Sequence, residues 1–156
     1  MEKTLLDQYE AGTDLPARAI ARLTAAELDA VPATGGWTIR QIVAHLADSE
    51  VIASERIRRI IAQDNPTLLA YDQEAFARAL HYDRIDAALA AELFRLNRQV
   101  TTTILRALPA SAFERAGTHS ETGRVTLADL VRSYVKHVNH HVAIIQQKRR
   151  ALGKPL

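Results

Sequence analysis

The stretch from Val125 to Arg150 repeats apolar side chains at helical spacing, and that periodicity constrains the fold of this chain more than any other feature. An α-helix turns about 100° per residue, so residues three and four apart share a face. Leu127, Leu130, Val131, Tyr134, Val138 and Ile145 then form one stripe, which is expected to face the rest of the protein. Three of the six histidines lie on this helix. His141 falls inside the stripe, His137 lies near its edge, and His140 points roughly 120° away. His137 and His141, four residues apart, can converge on one point.

The same period recurs upstream. Leu5, Leu6, Tyr9, Ile20 and Leu23 suggest a first helix, with a kink or restart around Gly12-Thr13-Asp14-Leu15-Pro16. Thr24 and Glu27 have capping-box form and open a short helical turn that Val31-Pro32 ends; Gly35-Gly36 is a flexible break. A second capping box, Thr38 with Gln41, starts a helix that runs to about Gln63, and Trp37 can staple onto Ile42. Ile39, Ile42, Val43, Leu46, Ala53, Ile57 and Ile60 read as its inward face. His45 sits on the flank of that stripe, Glu50 falls within it, and Asp48 faces outward.

Asn65-Pro66 breaks the pattern, and Asp83 is expected to cap the third long helix, from about Arg84 to Ala107. The stretch between them is long for a hairpin. Its length suits a crossover that traverses the bundle and sends the second and third long helices in the same direction. Ile85, Leu89, Leu93, Leu96, Val100 and Ile104 mark the third helix at helical spacing. A loop from Ala110 to Arg124 leads to Thr126, which caps the histidine helix with Asp129 three residues on. No strand-like alternation is visible, so the expected fold is an all-α four-helix bundle with one long crossover, a single domain over residues 1–156.

Composition removes several function classes. The 156 residues include no cysteine, which excludes disulfides, thiolate metal sites and a cysteine nucleophile of the chain's own. The net charge of +2, from 20 basic and 18 acidic residues, is too small for a nucleic-acid footprint, and Lys148-Arg149-Arg150 reads as a basic helix C-terminus. The first residues lack signal-peptide order and no apolar run is long enough for a membrane span, so a soluble cytoplasmic protein is expected.

The chemistry centres on histidine. If the second and fourth long helices are antiparallel, His45, His137 and His141 reach the same level of the bundle. Three neutral imidazoles bind a borderline divalent ion such as zinc, nickel or iron and leave a coordination position open. The competing reading makes them edge-of-core histidines bonded to backbone or to acids such as Glu50. No Glu lies three residues before a histidine, which argues against a ferritin-like di-iron site. Glu50 either orients a ligand or acts as a base, or it pairs with an arginine. His119 either lines the mouth of the site or is solvated. Tyr71, Phe76 and Tyr82 either cover the site or pack against the helices.

Trp37 through Glu50, Glu55 through Ile60, Ala116 through His119 with Gly123 through Leu127, and His137 through Gln146 together resemble the DinB/YfiT-like superfamily, damage-inducible helical metal-binding proteins distinct from the polymerase that shares the DinB name. The resemblance implies an up-down-down-up bundle, often dimeric, whose divalent metal is held at the positions of His45, His137 and His141. Some members are thiol transferases, so it also implies a metal-dependent thiol S-transferase or hydrolase acting on a small molecule. A thiol would have to come from a low-molecular-weight cosubstrate. The alternative is a non-catalytic, stress-associated bundle acting by ligand binding or as a homodimer.

Overall fold

The computed structural model describes residues 2–33 and 35–156. The chain forms α1 (Glu2–Ala11), α2 (Leu15–Ile20), α3 (Ala25–Leu28), α4 (Ile39–Ala62), β1 (Thr67–Leu68), α5 (Gln73–Ala79), α6 (Ala87–Arg106), a 3-10 turn (Ala110–Glu114), β2 (Ala116–His119), β3 (Gly123–Thr126) and α7 (Leu127–Ala151). The three anticipated threonine caps form. The hydroxyls of Thr24, Thr38 and Thr126 accept the amides of Glu27, Gln41 and Asp129, at 3.3, 3.3 and 3.1 Å. The first helix breaks into α1 and α2 over residues 12–14, and Pro16 sits in the first turn of α2, where its missing N–H is tolerated.

Side-chain pairings give the helix directions. Arg40 at the start of α4 donates to the carbonyl of Ile85 just before α6, and Arg98 midway along α6 meets Glu50 midway along α4, so those helices are parallel. Ser49 lies by His137 while Arg56 lies by Tyr134, so α4 and α7 are antiparallel. With Arg106 on Asp7 and Arg149 on Ala19, α1 and α2 run against α6 and with α7. The result is a four-helix bundle in up-down-down-up order, with the crossover between α4 and α6.

Two expectations change. Asp86, not Asp83, caps α6, its carboxylate accepting the amide of Leu89 at 2.8 Å. Tyr82 is fully buried and donates to Asp48 at 2.6 Å, which pins the chain there and leaves residues 83–85 to make the bend. Asp48 is accordingly half-buried at this contact instead of facing outward.

The face of α6 is the larger correction. Leu89, Leu93, Leu96 and Val100 are 46–68% exposed. The buried stripe consists of Ala87, Ala90, Ala91, Phe94, Arg98, Thr101, Thr102 and Leu105. Its alanines let α4 approach closely, and the larger aliphatics are left on the opposite side of the wheel.

A small sheet, not foreseen, closes the end where α4 stops and α7 starts. β1 pairs in parallel with β2, and β2 pairs antiparallel with β3 in the register Ala116↔Thr126 to His119↔Gly123. Gly117 is required because a Cβ there would stand 2.8 Å from the Pro66 carbonyl. Arg115, leading into β2, donates to the carbonyls of Ile60 and Gln63 and so ties the sheet to the C-terminal end of α4.

Large apolar side chains form two main clusters, with a smaller third around Ala44, Ala77 and Tyr82. One gathers Tyr9, Ile57, Ile60, Leu105, Leu127 and Val131 near the sheet; the other gathers Ile39, Leu46, Phe94, Val138 and Ile145 at the far end. Between them, each long helix contributes polar side chains: Ser49 and Glu50, Arg98 with Thr101 and Thr102, and His137. This polar layer holds the candidate site. Among the described residues no helix is long and apolar enough to cross a membrane.

Candidate metal centre

His45, His137 and His141 come together. Each offers a ring nitrogen, and the three nitrogens lie within 4.8 Å of one another. His45 is fully buried on the second turn of α4, while His137 and His141 stack one turn apart on α7. Their rings meet edge to face with centroids 4.5–5.1 Å apart. His140 is exposed and turned away, as the wheel requires.

The residues fit a divalent ion. Nε2 of His45 lies 3.1 Å from Nε2 of His137. Tetrahedral ligands about 2.0–2.1 Å from zinc stand roughly 3.3 Å apart, close to that spacing. The Nδ1 atoms of His45 and His141 are buried without a hydrogen-bond partner, and His45 turns its other nitrogen, Nε2, toward the cluster. Nδ1 of His137 faces the Ser49 hydroxyl at 3.5 Å, which leaves its Nε2 to the cluster.

Burial first, and then the neighbouring histidines, push all three imidazoles down: His45 and His141 to about 4 and His137 to about 3. At neutral pH they are uncharged and their lone pairs are free to coordinate.

Glu50 is bound up elsewhere. Arg98 grips its carboxylate with two bonds, Nε to Oε1 at 2.9 Å and Nη2 to Oε2 at 2.6 Å, and the Tyr9 hydroxyl donates to Oε1 at 2.6 Å. Both side chains are 1% exposed. With its oxygens taken, Glu50 serves Arg98 and not an incoming substrate; its alternative as a base gives way to the arginine pairing. The guanidinium also stacks on Tyr9 and Phe94, and Gly12 makes room for it, since a Cβ there would stand 2.6 Å from Nη1.

The crossover supplies one wall. Trp37 does more than staple: its ring lies 5.0 Å from His45 and 6.2 Å from Tyr82, and its Nε1 donates to Glu74 of α5 at 3.3 Å. Phe76 and Tyr82 pack with it over Ala44. Tyr71 stacks on Phe76, and its hydroxyl is raised in pKa by burial. His119 lies in the β2–β3 hairpin, where Nδ1 accepts the turn amides of Glu121 and Thr122, outside the cluster.

Sequence reading missed Arg98 and Arg56. Arg56 lies within the Glu55 through Ile60 run without being singled out there, and Arg98 sits on a face of α6 that looks solvated until the bundle is assembled.

Comparison with known proteins agrees with this geometry. Residues 8–145 match the DinB superfamily. The chain is 31% identical over 144 residues to "Putative metal-dependent hydrolase YfiT" of Bacillus subtilis (strain 168), covering 90% of this chain and 81% of that protein. It is 33% identical over 141 residues to a similarly named protein of Bacillus pumilus (strain SAFR-032), covering 90% and 76%. The solved structure of Bacillus subtilis YfiT, described as a probable metal-dependent hydrolase with an unusual four-helix bundle topology, superposes with a TM-score of 0.90 at 28% identity, over 97% of this chain and 87% of that one.

Proposed function

Since this chain belongs to the DinB superfamily, we propose that it is a metal-dependent enzyme of the hydrolase or thiol-transferase kind whose one divalent ion is held by His45, His137 and His141. The observation that carries the reading is the meeting of three uncharged imidazoles whose ring nitrogens lie within 4.8 Å of one another. Bound there, zinc, nickel or iron supplies Lewis acidity and brings the pKa of a coordinated water or thiol toward neutrality.

The chain's own residues prepare the centre. Ser49 fixes the tautomer of His137, Trp37 shields His45 from solvent on the crossover side, and the Glu50–Arg98 pair holds α4 and α6 in register beneath the cluster. Three neutral ligands leave the ion's full charge to draw in an anionic small-molecule substrate. With no cysteine in the chain, a transferred thiol comes from a low-molecular-weight cosubstrate.

Metal analysis of the purified protein tests the reading. One divalent ion per chain is expected, lost in His137→Ala and His141→Ala and kept in His140→Ala; equal loss in all three refutes the assignment. A screen of ester and amide substrates, with and without small thiols and electrophilic acceptors, then separates hydrolysis from transfer.

The exposed stripe of Leu89, Leu93, Leu96 and Val100 on α6 supports a second part of the reading, a homodimer formed through this face. Sedimentation should give a dimer for the wild type and a monomer for Leu93→Glu/Leu96→Glu with unchanged helicity.

A further inference from the structure

Arg56 is a buried cation without an acid. Its residue is 8% exposed, and among the described residues no carboxylate comes within salt-bridge distance of its guanidinium. Its partners are neutral: Nη1 donates to the Tyr134 hydroxyl at 3.2 Å and Nη2 to the Leu69 carbonyl. That uses two of five N–H groups. Burying a guanidinium is costly unless a charge compensates it, and the contrast with Arg98, which is buried and ion-paired to Glu50, is direct.

Its position is also informative. Steps of 100° place Ser49, Ile52, Arg56 and Arg59 within about 80° of one another on α4, with His45 in their middle. One stripe of α4 therefore carries the histidine ligand at one end and two arginines at the other, and the crossover segment through Leu69 and Tyr71 lies over it. A cavity of about 250 Å³ opens at the arginine end of this stripe, lined by Ile52, Glu55, Arg56, Arg59, Thr67 and Leu69. Glu55 is taken by Arg59, so the uncompensated charge in the lining is that of Arg56.

Helical side chains lean toward the helix N-terminus, so Arg56 reaches back toward the cluster, and seven residues of rise from Ser49 set the separation on the order of 10 Å. Tyr134 bridges the two, its hydroxyl on Arg56 and its ring 6.1 Å from that of His137.

We propose that Arg56 is a substrate-binding residue that receives a carboxylate carried by the substrate along α4 from the group presented to the metal. A guanidinium fork takes a carboxylate through paired N–H donors, and the arginine gains the counter-charge the fold withholds. This inference rests on the metal reading above and names its substrate class: small molecules with a carboxylate set apart from the reacting group.

Titration calorimetry on the zinc-loaded protein tests it, with succinate, glutarate and adipate as two-headed probes and pentanoate as the single-headed control. The best dicarboxylate should bind at least tenfold tighter than pentanoate. Arg56→Gln should erase that difference with zinc uptake unchanged, and Arg56→Lys, which keeps the charge without the fork, should retain part of it. Equal binding of the two probe classes by the wild type, or a difference that survives Arg56→Gln, overturns the proposal. If Arg56→Gln does not fold, the wild-type ratio and its reduction in Arg56→Lys decide, and an unchanged ratio overturns it. A wild type that takes up no zinc defeats the metal reading and this inference together, whereas intact zinc uptake without any dependence on Arg56 defeats this inference alone.

Discussion

The polar layer between the two apolar clusters has two halves that handle burial in opposite ways. On the α6 side, Arg98 and Tyr9 satisfy the Glu50 carboxylate through three short bonds, and the guanidinium stacks on Tyr9 and Phe94. On the α7 side, His45, His137 and His141 crowd together with ring nitrogens within 4.8 Å of one another and no carboxylate bonded to them. A closed polar network specifies how helices pack, while an open one has capacity left for something the chain does not itself supply. The contrast separates two kinds of buried polar residue that a burial value alone would merge.

The closed half should carry the larger share of stability. Arg98→Ala leaves a buried carboxylate without its cation and should cost about 3–5 kcal/mol, and Glu50→Ala should cost about as much. The double change Glu50→Leu/Arg98→Met should cost far less than the sum, because neither charge is stranded. Urea unfolding of the four proteins measures this. Additive losses would mean that the pair does not act as a unit.

The open half should show the reverse pattern. His137→Ala should leave the metal-free fold nearly as stable as the wild type, yet weaken zinc binding by more than about 100-fold, since even outer partners of metal ligands are worth 10–100-fold. Stabilisation by excess zinc, about 2.7 kcal/mol at 100 times the Kd, should vanish with it. A His137→Ala protein that unfolds as readily as Arg98→Ala would erase the distinction between the halves.

Acid should also separate them. The folded imidazoles titrate at about 3–4, below the ~6.5 of an exposed histidine, so the unfolded chain binds protons that the folded one refuses. Metal-free stability from this cluster is then complete above about pH 6.5 and is lost as pH falls through about 4, with the three rings titrating as a set. Unfolding midpoints between pH 7.5 and 4.5 should fall more steeply for the wild type than for His137→Ala. Parallel slopes would show that the cluster does not resist protonation.

Legibility in the sequence followed the same division. The stripes of α4 and α7, the threonine caps and the histidine triad could be read because local periodicity and antiparallel pairing determine them. The inner face of α6 could not. Two stripes on that helix both have helical period, and the more apolar one, Leu89 to Val100, lies outside. Only the assembled bundle shows that Phe94 and the alanines face inward around Arg98 because Glu50 waits there. Strands of two to four residues are likewise too short for alternation to register, and Asp83 and Asp86 differ as caps only because Tyr82 is anchored on Asp48.

Ser49 stands at the seam, one residue before Glu50 and beside His137, so its removal offers the finest test. Ser49→Ala deletes a single long contact of 3.5 Å to Nδ1 of His137 and leaves Glu50, Arg98 and Tyr9 untouched. If the serine's work is to hold that ring in the tautomer that presents Nε2, zinc affinity should drop by about tenfold, the low end for an outer partner, while unfolding of the metal-free protein shifts by less than about 0.5 kcal/mol. A larger loss of stability than of zinc affinity would instead join Ser49 to the closed half, and the boundary between the two would run through the histidines themselves.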